Sequence, residues 1–236
     1  VKNVTKQFKK FRLNNISFTV ESGTIAGFIG QNGAGKSTTI KLMLNLLKKI
    51  DGDILLFGKD HIEHEVELKA QIGVVFDELH VPESFTPKEL DVLYGNVYPT
   101  WDRPYFDGLL EQLDVPKYDK IKTMSKGTKM KLALSLALGH RPKLLLLDEP
   151  TSGLDPIVRD EVLSMLQHFM EQEDHAILFS SHITTDLEKI ADTITFIHEG
   201  EILFSENKDD LLYGYGIWKG TYEEAKVIPN HSIIGK

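Results

Sequence analysis

Gly30-Gln31-Asn32-Gly33-Ala34-Gly35-Lys36-Ser37 is the stretch whose residue types and spacing point most directly to chemistry. Glycines let a backbone close around an anion with its N–H groups aimed inward, Lys36 adds a cation, and Ser37 adds a hydroxyl suited to Mg²⁺. The pattern G-x-x-x-x-G-K-[ST] is met at every fixed position. It follows an apolar run at 24–29 and precedes Ile40, Met43, Leu44 and Leu47 at helical spacing, the strand–loop–helix setting that phosphate binding needs. The bland alternative is a glycine-rich strand-to-helix turn. The expectation is a nucleotide held by Asn32, Gly33, Ala34, Gly35, Lys36, Ser37 and Thr38, with Lys36 on the β- and γ-phosphates.

A second group of chemical residues ends the leucine run 144–147: Asp148 and Glu149. A buried apolar strand does not carry charge without a partner, and a metal–phosphate centre supplies one. In phosphate-loop enzymes the acid at such a strand end holds Mg²⁺, which assigns that role to Asp148. Glu149 then orients or deprotonates the attacking water. In isolation the pair would read as a strand cap or the start of a turn.

These residues must be positioned by elements. Strand-like runs occur at 15–20, 24–29, 54–57, 72–76, 144–147, 176–179 and 194–197. Helical segments lie between several of them, including one capped by Asp155-Pro156 with Val158, Val162, Leu166 and Phe169 along one face. Strands separated by helices predict an α/β fold with a mainly parallel sheet covered on both sides. Thr86-Pro87-Lys88-Glu89, Asp102-Arg103-Pro104 and Ser125 are helix starts, so 78–141 reads as an inserted all-helical subdomain. Residues from Tyr213 to Lys236 show no clear period and stay unassigned.

Composition narrows the partners. A chain of 236 residues with 41% hydrophobic and 26% charged residues is ordinary for a globular protein. Its net charge of −8 argues against a general nucleic-acid binder, and the absence of cysteine removes disulfides and thiol chemistry. No apolar run reaches membrane-spanning length and no secretory leader is visible, which gives a cytoplasmic expectation. His61 and His64, near Glu63 and Glu65, read as solvated charge rather than a metal site.

Taken in order, the phosphate loop at 30–37, Ser125-Lys126-Gly127 before a helix, the run 148–156 and Ser181-His182 resemble the ATP-binding cassette family, specifically its transporter nucleotide-binding domains. The resemblance covers roughly residues 1–212. It implies a P-loop NTPase core with an N-terminal antiparallel β subdomain (1–77 and 142–212), the helical subdomain 78–141, and a C-terminal extension, 213–236. It also implies a head-to-tail dimer with ATP between the subunits, and a separate integral membrane permease driven from the inner face of the membrane.

Roles follow position by position from the resemblance. Phe8 matches an aromatic that stacks on adenine; a core aromatic is the alternative, and Phe11 the fallback. Ser125, Lys126 and Gly127 match the segment that meets the partner subunit's ATP, although Lys126 and Thr128 replace the usual Gly and Gln. That variant resembles bacterial exporter-type cassettes. Asp155 matches a residue that communicates across the dimer, and His182 the histidine that contacts the γ-phosphate. Where the family usually carries a metal-ligating Gln, this chain has Asp77, with Glu78 as the neighbouring alternative; a carboxylate suits Mg²⁺ but is shorter and adds charge beside ATP. Phe85, Leu90, Leu93 and Tyr94 are candidates for a permease-docking groove. Two other readings remain: a soluble cassette ATPase unconnected with transport, and a regulatory ATP-binding half of a heterodimer.

Overall fold

Residues 1–214 are described in the computed structural model of the chain. The main sheet has six strands in the order β11-β10-β3-β9-β8-β7. These are β3 (Ile25–Ile29), β7 (Ile72–Val75), β8 (Leu144–Asp148), β9 (Ala176–Ser181), β10 (Thr193–His198) and β11 (Glu201–Asn207). All neighbours are parallel except the β10–β11 hairpin at one edge. β8 and β9 are buried along their whole length, as strands covered on both faces must be.

Period two decides which core each strand residue joins. Leu145, Leu147, Ile177 and Phe179 pack into one apolar cluster with the helices α4 (Arg103–Gln112), α5 (Lys126–Leu138) and α6 (Pro156–Phe169). Leu144, Leu146 and Leu178 face the other cluster, with α1 (Lys36–Met43) and the small antiparallel sheet. That second sheet has the order β2-β1-β4, from β1 (Lys2–Gln7), β2 (Arg12–Ile16) and β4 (Asp51–Asp53).

Two strand expectations shift. β2 ends at Ile16, and Asn15 sits at a φ of 52°; beyond it the alternation at 17–20 reflects packing, with Phe18 stacked 5.1 Å from Phe28. The run 54–57 contains only the short β5 (Leu55–Leu56), because Phe57 at a φ of 51° turns the chain into β6 (Lys59–Asp60). His61 corrects the solvated reading: it is 3% exposed, its Nδ1 lies 3.1 Å from the Ile54 carbonyl, and burial lowers its pKa.

A short helix, α2 (Glu65–Lys69), precedes β7, and between β7 and β8 run α3 (Pro87–Val97), α4, a 3₁₀ turn and α5. Their caps form as read. Thr86 and Glu89 bond each other's backbone N–H groups, Asp102 accepts from Tyr105 N at 3.0 Å, and Ser125 accepts from Thr128 N at 3.1 Å. A shorter helix, α7 (Thr184–Ile190), follows β9, and α8 (Lys208–Gly214) follows β11; residues 215–236 of the unassigned tail lie outside the described residues. Charge is uneven: residues 1–49 hold nine Lys and Arg against one acid, Glu21, within a chain of net −8.

Candidate active site

β3 runs straight into the glycine-rich loop, and the loop into α1. Gly30 admits no side chain, since a Cβ there would stand 2.5 Å from the Ile197 carbonyl on β10. Gly35, at a φ of 120°, is the N-cap of α1 and provides no side-chain acceptor. The first N–H groups of α1 therefore stay free for an anion, unlike those of α3 to α6, which their caps engage.

Lys36 is 5% exposed, and its Nζ donates to the carbonyls of Gly30 at 2.6 Å and Gln31 at 3.2 Å. The same ammonium is 3.1 Å from Glu149 Oε1. The other carboxylate oxygen, Oε2, meets His182 Nδ1 at 2.7 Å and accepts from the His182 backbone N–H at 3.3 Å. Glu149 thus lies between a cation and an imidazole. Its backbone is left-handed, with a φ of 54°, which turns its side chain differently from that of Asp148 one residue earlier.

An open cavity of about 760 Å³ is lined by Phe8, Phe11, Asn32, Gly33, Gly35, Lys36, Ser37, Thr38, Asp77, Glu149 and His182. These come from five separate stretches of sequence. Lys10 and Ser152 also line it; Lys10 lies between the two phenylalanines and Ser152 within the run 148–156, and neither stands at a position to which the resemblance gives a role. Phe8 is 37% exposed, with its ring 6.3 Å from Phe11 and the Lys6 ammonium 5.3 Å from its centroid. The ring is therefore available for stacking and is not a core aromatic.

Other candidate residues stand elsewhere. Ala34 is buried beneath the loop, and Asp148, 3% exposed, lies behind the cavity wall with Oδ1 accepting from Ser180 Oγ at 2.7 Å. Ser125, Lys126, Gly127 and Asp155 are all off the wall of this cavity. Instead Gly127 lies against Val158, and the Lys126 ammonium against Gly153, in the segment that leads into α6. Asp155 caps α6 by accepting from Ile157 N and Val158 N, both at 3.1 Å. Of the docking-groove candidates, Leu90 is fully buried and Phe85 packs on the core, so neither presents an open surface; Leu93 is 44% exposed.

The oxygen donors considered for Mg²⁺ are split, with Ser37 and Asp77 on the wall and Asp148 behind it. Among the described residues no group of three His, Cys, Asp or Glu is gathered to hold a metal. Few hard donors beside a phosphate loop fit an ion that arrives with its phosphates, as Mg²⁺ characteristically does.

The family described as "ABC transporter" matches residues 13–152. The lantibiotic transport ATP-binding protein SrtF of Streptococcus pyogenes is 32% identical over 220 residues, covering 89% of this chain and 90% of SrtF. The bacitracin transport ATP-binding protein BcrA of Bacillus licheniformis is 33% identical over 193 residues, or 81% of this chain, which spans 63% of that relative. A solved structure described as the ATP-binding subunit of an ABC transporter superposes with a TM-score of 0.82 at 25% identity, covering 96% of both chains. The phosphate loop, the acids at the end of β8 and the histidine after β9 are thus found in a chain that belongs to the ABC transporter family, as one of its ATP-binding, ATP-hydrolysing subunits.

Proposed function

We propose that this chain powers a bacterial export system by hydrolysing Mg·ATP in a head-to-tail pair of cassettes bound to a separate membrane permease at the inner face of the membrane. The observation that carries the hydrolytic part is the Glu149 carboxylate, held between Lys36 and His182 on the wall of the phosphate-loop cavity.

In this reading the adenine stacks on Phe8, and the phosphates lie over the free N–H groups of the loop and α1 with Lys36 beside them. Ser37, Asp77 and Asp148 would hold Mg²⁺, which would supply charge neutralisation for the phosphates. Glu149 accepts a proton from the attacking water, and His182, on its other oxygen, fixes the direction from which it does so. The hydroxyl of Ser125 and the N–H of Gly127, at the start of α5, complete the partner's site. Their position outside the chain's own cavity supports that use, as does the packing of the same turn on the segment carrying Asp155.

The permease would be felt through the segment from Asp77 to Val81 and α3. Leu79, Val81, Tyr94 and Tyr98 line a cavity of about 220 Å³ beside β7, and Val92, Leu93 and Val97 are exposed on α3. Relatives named for bacitracin and lantibiotic transport, together with the Ser-Lys-Gly variant, support export of antimicrobial compounds. Lys126, Thr128 and Asp77 favour one alternative, a regulatory half of a heterodimer; the intact Glu149–His182 pair opposes it.

Steady-state hydrolysis measured against protein concentration tests the reading. Turnover rising with the square of concentration at the low end, and lost in Glu149→Gln, is expected of a self-sufficient pair. Tight ATP binding without turnover at any concentration would favour the regulatory half.

A further inference from the structure

Asp148 and Glu149 are adjacent in sequence yet point to different tasks, and one buried residue touches both. Ser180, on β9, stands directly across the parallel ladder from Asp148 and is fully buried. Its Oγ donates its single proton to Asp148 Oδ1 at 2.7 Å. The same oxygen accepts from the Glu149 backbone N–H at 3.3 Å, a group that also reaches the Ser180 carbonyl at 3.1 Å. Ser180 does not line the cavity and so touches no substrate.

We propose that Ser180 is a positioning residue for hydrolysis: its hydroxyl fixes the Asp148 carboxylate and the backbone of Glu149 together. The proposal rests on the roles given above to those two acids. A buried carboxylate with one oxygen engaged presents its remaining lone pairs in a set direction, which suits an acid that supports a metal–phosphate centre from behind the cavity wall. Glu149 needs holding for a separate reason, since a left-handed backbone at a residue with a Cβ is disfavoured. Two acceptors on Ser180 secure its N–H, so the turn that aims the carboxylate at Lys36 and His182 is fixed from β9. His182 is only two residues further along the same chain, so β9 delivers both the support and the imidazole.

The test compares Ser180→Ala and Ser180→Thr with wild type. Thr195→Val serves as a control, because Thr195 is 2% exposed in the same sheet and its hydroxyl bonds Ser205 at 2.7 Å, away from the acids. Ser180→Ala is expected to lower kcat about tenfold and raise the Mg²⁺ concentration for half-maximal turnover about tenfold, as loss of a supporting hydrogen bond to a metal ligand does. KM for ATP, and binding of a fluorescent ATP analogue without Mg²⁺, should stay within about twofold, since the phosphate loop carries both. Ser180→Thr should restore kcat, and Thr195→Val should lower Tm without moving kcat or the Mg²⁺ midpoint.

A Ser180→Ala protein with wild-type kcat and Mg²⁺ midpoint would overturn the proposal. So would a loss of kcat that Thr195→Val reproduces, or one that a folded Ser180→Thr does not restore. Glu149→Gln is assayed alongside. If it retains turnover, the roles of the acids themselves fail, whereas a dead Glu149→Gln beside a fully active Ser180→Ala rejects only the part given to Ser180.

Discussion

Asp77, which stands where the family resemblance leads one to expect a Gln, lies on the cavity wall with Ser37. If its carboxylate helps to hold Mg²⁺, Asp77→Ala should raise the Mg²⁺ concentration for half-maximal turnover several-fold; a titration that superposes on wild type would remove the residue from the metal site. Gly30 sets a different limit. A methyl group there meets a backbone carbonyl of the neighbouring strand, which cannot swing aside as a side chain does. Gly30→Ala should therefore lose nucleotide affinity together with stability, on the order of 1–3 kcal/mol of the latter by overpacking, measurable by binding and urea denaturation. The phosphate loop was legible because its chemistry is contained in eight consecutive residues. Ser152, Lys10 and Ser180 were not, because each acquires its neighbours only when separate stretches of chain come together.

At the scale of elements, helix starts were readable for the same local reason. A capping residue needs only its own next three neighbours, and Thr86, Asp102, Ser125 and Asp155 all bond as their spacing predicts. Thr86→Ala should cost about 1 kcal/mol in denaturant stability, and Thr86→Ser much less. Strands with few buried apolar residues were harder. β11 has no buried residue and alternates only between half-buried and exposed, while β1 is mostly polar; neither has the apolar signal that marked β8. In contrast, residues 17–20 alternate perfectly and form no ladder, because Phe18 is buried by stacking on Phe28 rather than by pairing. Alternation reports which side chains face inward, and hydrogen-bond partners are a separate matter.

For the molecule as a whole, two charge effects are measurable. His140 is 2% exposed, lies between the sheet and α5 with Nε2 3.2 Å from the Ile72 carbonyl, and burial holds its pKa down at about 4. The unfolded chain binds that proton near pH 6.5 while the native chain refuses it, so stability should fall as pH drops from about 6.5 to 4 and level off below. The loss is on the order of 3 kcal/mol, with His61 acting in the same direction. Urea midpoints at pH 7 and 5 should differ less in His140→Gln than in wild type. Separately, Lys10 and Lys36, from the basic first 49 residues of an otherwise acidic chain, line the nucleotide cavity. Association of ATP should slow with added salt more steeply than dissociation changes, as focused fields require, which stopped-flow traces at two ionic strengths would show.

The order of strands also has a consequence for how the protein is made. β3, which delivers the phosphate loop, pairs with β9 on one side and β10 on the other, so the loop is translated early while both its neighbours are translated late. Contacts this distant in sequence form slowly and only after the intervening chain exists. A ribosome-bound chain halted before Ala176 would carry every residue of the loop and still bind no nucleotide. ATP can stabilise the finished cassette, but it arrives too late to guide the early steps of its assembly.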